Sequence, residues 1–287
     1  MEPRSTAART GGTRRLRAAT LGAEAGAATA SGFGVGVAND ELRALQPFAV
    51  VNFRVRQILE RHGVHHQRDA KVGEVEVAVF GLLFEGKAVL EAAETYFQEV
   101  GYEAFSMAQL GKRSGVAKGT LYLYFDTREA LFLTLYEQSL MRWSRGFIDA
   151  LSDDITSEAY AKLLYRTALA DGVFLPLLIR LEHVIEHNVA IPRLIESKRI
   201  FIEQVEGVAK RSATALQLSA AQAVEVVKTM GVLLIGATQT DQSPSLADEA
   251  LPTDVQNLIA SFSSEPLFIK NAVRIIKGIR AEASSNP

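Results

Sequence analysis

From Phe84 to Ile279 the apolar residues of this 287-residue chain recur with a period of 3.6, the spacing of one helix face. That periodicity commits about two thirds of the chain to packed helices, so the fold class is all-α. FEGKAVLEAAETYFQEVGY (84–102) puts Phe84, Val89, Ala92, Ala93, Tyr96, Phe97 and Val100 on one stripe and stops at Gly101. SMAQLGKRSG (106–115) opens on Ser106 with Gln109 three residues later, a capping-box spacing, and halts at Ser114-Gly115. GVAKGTLYLYF (115–125) predicts a third short helix. Asp126 or Thr127 caps a fourth, with Glu129 at the capping-box distance from Asp126, and that helix turns Leu131, Phe132, Leu135, Leu140 and Trp143 inward. Further helices follow to about residue 282, with breaks at 152–157, Pro176, 188–192, 217–219 and 238–254.

Residues 1–80 read differently. They form a low-complexity N-terminal extension, disordered or a misassigned start, since no methionine lies between Met1 and Met107. GFGVG (32–36) lacks the flanking strand and helix of a phosphate loop, and HGVHH (62–66) stands in the same segment. EVEVAVF (74–80) alternates like a strand. The paired arginines of TRRLRAATLGAEAGAATA (13–30) resemble an export signal, but the stretch after them is too weakly apolar. No apolar run approaches the ~20 residues needed to cross a bilayer, so no membrane partner is expected. With no cysteine, disulfides, thiolate metal sites and a cysteine nucleophile are excluded, and a cytoplasmic location fits. The formal net charge of −2 leaves any basic face to be local.

Residues 106–128 supply such a face. Lys112, Arg113, Lys118 and Arg128 oppose only Asp126 there, a net of +3. Two short helices joined by a tight turn have the size of a helix-turn-helix unit. The second must bury Val116, Leu121 and Phe125 while its other face enters a major groove. Gly119 lets the backbone come close to DNA, Thr120 offers a hydroxyl, and Lys118 adds charge at the helix N-terminus. Tyr122 and Tyr124 lie along the groove edge in this reading. Both also fit a core role, being amphipathic.

The run GYEAFSMAQLGKRSGVAKGTLYLYFDTREALF (101–132) closely resembles the DNA-binding region of TetR-type (tetracycline-repressor-like) transcriptional regulators. The match is close over 84–145 and coarser beyond. The resemblance implies a three-helix DNA-binding head (81–130) and a larger helical domain (131–287) for ligand binding and dimerisation. It implies that Met107 sits where the second helix approaches DNA. Lys118, Gly119, Thr120, Tyr122 and Tyr124 would contact groove and phosphates, and Arg128, usually lysine, a phosphate at the fourth helix. Ala117 stands where the family often has a capping serine or threonine. Gly111 replaces the usual alanine, a loss of up to about 1 kcal/mol in helix propensity.

The resemblance further implies a homodimer through the last two helices (220–239 and 264–280), a palindromic double-stranded operator and a small-molecule effector. Phe147, Phe174, Leu177 and Leu178, with Tyr160, Leu164, Leu181 and Val184, are candidates for a largely apolar effector pocket. His183 and His187, four apart beside Glu182 and Glu186, lie at its edge. They read as a polar strip rather than half a metal site, because no third ligand is identifiable. No catalytic constellation and no cofactor motif is visible. The expected function is a DNA-binding regulator, a repressor released by a mainly apolar effector. The alternative is a helical small-molecule-binding or enzymatic protein with a vestigial head, which should have lost Lys118, Thr120 or Arg128.

Overall fold

A computed structural model describes residues 72–239 and 251–284, with side chains from 86 to 239 and 251 to 282. The arginine pair, GFGVG, HGVHH and most of the 238–254 break lie outside the described residues. Ten α-helices follow in order: α1 Val72–Ala104, α2 Met107–Ser114, α3 Lys118–Tyr124, α4 Arg128–Ala150, α5 Ser157–Ala170 and α6 Phe174–Arg180. Then come α7 Ile191–Leu216, α8 Ala220–Gln239, α9 Thr253–Ser261 and α10 Ser264–Ser284. No strand occurs among the described residues.

EVEVAVF is therefore helix, not strand. Its alternation is short and finds no partner strand, whereas helix propagates one hydrogen bond per residue from the strongly periodic segment that follows. Along that segment Val89, Ala93, Tyr96 and Phe97 are buried and Ala92 and Val100 pack at the margin. Phe84's side chain falls outside the described set. Gly101 breaks the helical path at φ 70°, as its residue type predicted. Tyr102 and Phe105 then fold back, and the Tyr102, Phe105 and Phe97 rings meet Phe132 of α4 at 4.9, 4.9 and 5.5 Å.

α2 departs from the capping expectation. Ser106 takes the N-cap backbone position but its side chain makes no cap bond. At the other end Gly115, at φ 71°, donates its N–H to the Gly111 carbonyl, and Val116 N–H donates to the same oxygen at 3.1 Å. Gly111 is closely packed here. A methyl at that position would lie 2.9 Å from the Val116 carbonyl, so the glycine permits the turn rather than weakening the head. Thr127, not Asp126, caps α4, accepting from Ala130 N–H at 2.9 Å.

In the body, α4 packs on α7, α5 on α10, and α8 against both α7 and α10. Between α6 and α7 the chain winds through a π-helical turn, Leu181–Ile185, and a 3-10 turn, Glu186–Asn188. α8 occupies the expected 220–239, and by length and composition alone it could cross a membrane. Its buried Val226, Met230, Leu234 and Ala237 place it instead as a bundle helix. α9 falls in the helical stretch expected after the 238–254 break and begins two residues inside that break. It carries Val255, Leu258 and Ile259 on one stripe, with Phe262 at its C-cap, yet none of its residues is buried. It stands between the two helices expected to pair with their twins, α8 and α10.

Candidate nucleic-acid interface

α3 is only seven residues long, too short to be stable alone, so its position is set by what it buries. Leu121, Tyr124 and Phe125 are 0, 2 and 1% exposed and hold the helix against α2 and the core. Thr120 and Leu121 both donate N–H to the Ala117 carbonyl, at 2.9 and 3.1 Å. Ala117 offers no side-chain cap, as its residue type requires. The outer face then presents exposed Lys118 and Gly119, half-buried Thr120, and Tyr122 at 40% exposure. A side chain added at Gly119 would meet only open space. Lys118 Nζ stands 5.9 Å from the Tyr122 ring centroid.

Two expected contacts change role. Tyr124 is a core residue, its ring 6.4 Å from that of Phe125, because position 124 follows Leu121 by three on the inward stripe. Met107 is also buried, 6% exposed, packing α2 rather than offering its side chain to a ligand. One outward residue escaped the sequence reading. Leu123 is 58% exposed and shares the face of Gly119 at i+4, a spacing that could have singled it out.

Arg128 heads α4 in a tight network. It bonds the Glu129 carboxylate at 3.1 Å and the Tyr102 hydroxyl at 3.3 Å, and its guanidinium stands 4.8 Å from the Tyr102 ring. Burial works against its charge, but Glu129 and Tyr102 outweigh that and hold its pKa above the ordinary value. Arg113 pairs with Glu99 at 2.5 Å and covers the Tyr96 ring at 4.3 Å. Lys112 and Lys118 are exposed cations of this face.

Two links join head to body. The Thr127 hydroxyl donates to the Asn188 carbonyl at 3.2 Å. Arg180 approaches Glu103 at 3.8 Å and the Tyr102 ring at 5.4 Å. Within the body, Arg193 holds Glu137 at 2.6 and 2.8 Å, a pair 11 and 3% exposed.

Behind the head, Tyr136, Phe174, Trp143 and Phe147 form a near-parallel stack with successive ring centroids 6.2, 5.0 and 5.5 Å apart. Of the expected pocket residues, Phe147, Phe174 and Leu177 are buried and Leu178 is half-buried. His183 and His187 are exposed, because the π-helical and 3-10 turns displace them from one regular helix face. No group of residues able to hold a metal occurs among those described. A shallow cleft of about 540 Å³ lies elsewhere, with Leu163, Arg166, Thr167, Leu169, Ala170 and Glu265 among its walls, and none of the expected pocket residues lines it.

A glycine-turned pair of short helices, the second showing a polar, lysine-bearing face over a buried back, defines a helix-turn-helix DNA-binding protein with a helical body. Residues 89–135 match the model for "Bacterial regulatory proteins, tetR family". Residues 137–283, more than half of the chain, match "Tetracyclin repressor-like, C-terminal domain". The chain belongs to the TetR family of transcriptional regulators, whose members bind DNA as dimers and bind small-molecule ligands.

Individual relatives are more distant. The fatty acid metabolism regulator protein of Bacillus subtilis is 30% identical over 115 residues, which are 40% of this chain and 54% of that protein. The transcriptional regulator RutR of Escherichia coli K12 is 35% identical over 57 residues, 20% of this chain and 27% of RutR. The chain thus spans about half the length, or less, of these curated relatives. Among solved structures, FadR from Bacillus subtilis in complex with stearoyl-CoA covers 63% of this chain and 97% of its own at 17% identity, with a TM-score of 0.38. At that score it adds nothing to the family match.

Proposed function

We propose that the chain is a cytoplasmic repressor that binds a palindromic operator as a homodimer and leaves it when a small, mainly apolar effector enters the body. The observation that carries the reading is the outer face of α3. Lys118, Gly119, Thr120 and Tyr122 stand free of the core while Leu121, Tyr124 and Phe125 hold the helix rigidly from behind. Lys118 serves phosphates, Thr120 and Tyr122 serve phosphates or base edges, and Leu123 is an apolar partner for a thymine methyl. Gly119 keeps the backbone close to the groove. Arg128 joins as a phosphate contact only when its bond to Glu129 is shared or given up. A vestigial head has no reason to keep this face intact.

Dimerisation through α8 and α10 fits an outer side of α8 on which Val232 is 74% exposed. Pairing there sets two recognition helices about 34 Å apart, one turn of DNA. An apolar effector agrees with a body rich in buried aromatic rings and with a relative whose name concerns fatty acid metabolism. Fluorescence anisotropy tests the reading, using DNA from immediately upstream of the gene and a scrambled duplex at two salt concentrations. Tight, specific binding that weakens with salt is expected. Affinity no better for the upstream DNA, with an effector bound all the same, favours a small-molecule-binding protein whose head is idle.

A further inference from the structure

The aromatic stack ends in an unmet hydrogen bond. Tyr136 is 1% exposed, and its hydroxyl finds no hydrogen-bond partner among the described residues. A buried hydroxyl left in that state destabilises the fold, so one in a native core needs an explanation. The next residue, Glu137, is held by both terminal nitrogens of Arg193, whose buried Nε is likewise unpartnered.

Two further features meet at this place. Glu182 and Glu186, which act electrostatically on the Tyr136 phenol, lie within and just after the π-helical turn, where Glu186 N–H donates to Leu181 five residues back. Such single π turns are rare and often found at functional sites. The same segment ends at Asn188, whose carbonyl receives the Thr127 hydroxyl at the cap of α4. An unsatisfied donor, a π turn and a bond to the head therefore occur close together.

We propose that Tyr136 is the polar anchor of the effector site, its hydroxyl donating to a neutral carbonyl of the ligand while the apolar remainder lies along the Phe174 and Trp143 rings. This deepens the regulator reading and rests on it for the ligand's role. The carbonyl is neutral because Glu137, Glu182 and Glu186 outnumber the cations of Arg193 and Lys198 that pair with two of them. A ketone, ester, thioester or amide fits; a free carboxylate does not. Entry moves the π turn aside, and with it the Asn188 carbonyl that holds the cap of α4.

Trp143 is the only tryptophan in the chain and lies inside the stack, so its fluorescence reports occupancy. Three probes of similar shape separate the terms: benzylacetone (a neutral ketone), butylbenzene (no acceptor) and 4-phenylbutyrate (an anion). In the full chain benzylacetone should quench Trp143 saturably and bind about tenfold more tightly than butylbenzene, with phenylbutyrate the weakest. Tyr136→Phe should abolish the ketone's advantage and leave butylbenzene unchanged, while its melting temperature holds or rises as the unmet hydroxyl is removed. Equal binding of ketone and hydrocarbon to the unaltered protein overturns the proposal, a comparison that needs no variant. So does an advantage that survives Tyr136→Phe, tighter binding of the carboxylate, or no saturable response to the ketone. Operator binding is measured separately without probes. Its absence sinks the regulator reading and leaves the anchor test intact.

Discussion

α3, the helix proposed to read DNA, and the aromatic stack of the body use large side chains in opposite ways. α3 uses Leu121, Tyr124 and Phe125 for anchoring and leaves its polar groups outside, where nothing in the core depends on them. The stack buries Tyr136, Phe174 and Phe147 almost completely, so any ligand there must compete with the protein's own packing. Function on a surface tolerates substitution without loss of fold. Function in a core does not, and it shows itself only where packing leaves a group unmet.

That contrast breaks first at Arg193. Arg193→Ala removes the partner of nearly buried Glu137 and should destabilise the protein by about 3–5 kcal/mol, read from chemical denaturation. A loss below about 1 kcal/mol would mean that the core is less closed than its exposures indicate. Gly111→Ala sharpens the head's side of the comparison. Helix propensity alone predicts a gain of up to about 1 kcal/mol, whereas the 2.9 Å approach to the Val116 carbonyl predicts a loss of about 1–3 kcal/mol. The sign of the change in melting temperature decides between them.

A smaller effect follows from Asp171, which caps α6 by accepting from Val173 and Phe174 N–H at 2.9 and 3.0 Å and pairs with Arg142 at 3.0 Å. Burial raises its pKa, but the backbone bonds, the Ser139 hydroxyl and Arg142 together hold it below the ordinary value. A depressed carboxylate stabilises the fold above its unfolded pKa near 4 and loses that contribution as pH falls through the lower folded value. Asp171→Asn should therefore narrow the gap to the unaltered protein as pH drops from about 5 to 2, in melts followed by circular dichroism. A gap that widens on acidification would contradict the assignment.

The fold was largely legible because it rests on repetition: the stripe on α1, the stop at Gly101 and the turn at Gly115 follow from spacing and residue type. Failures came where a local pattern was shorter than its context. EVEVAVF was too brief to resist the helix that follows it. In the head, the sequence located the helix but not all of its sides. Tyr124 and Leu123 are adjacent, and only placement on Leu121 settles which faces in. In the body, a list of apolar residues cannot distinguish the wall of a pocket from the filling of a core. Phe147 and Phe174 are buried, as either role requires, and the polar group with no partner, Tyr136, had drawn no attention because its isolation exists only in three dimensions.

The measurement closest to the central claim is the operator affinity of Thr120→Ala/Tyr122→Ala beside the unaltered protein, with circular dichroism and sedimentation on both. The account predicts a loss of about 100-fold or more on the upstream DNA, with helicity and oligomeric state unchanged. A folded double variant that keeps its affinity would show that the outer face of α3 is not what reads DNA.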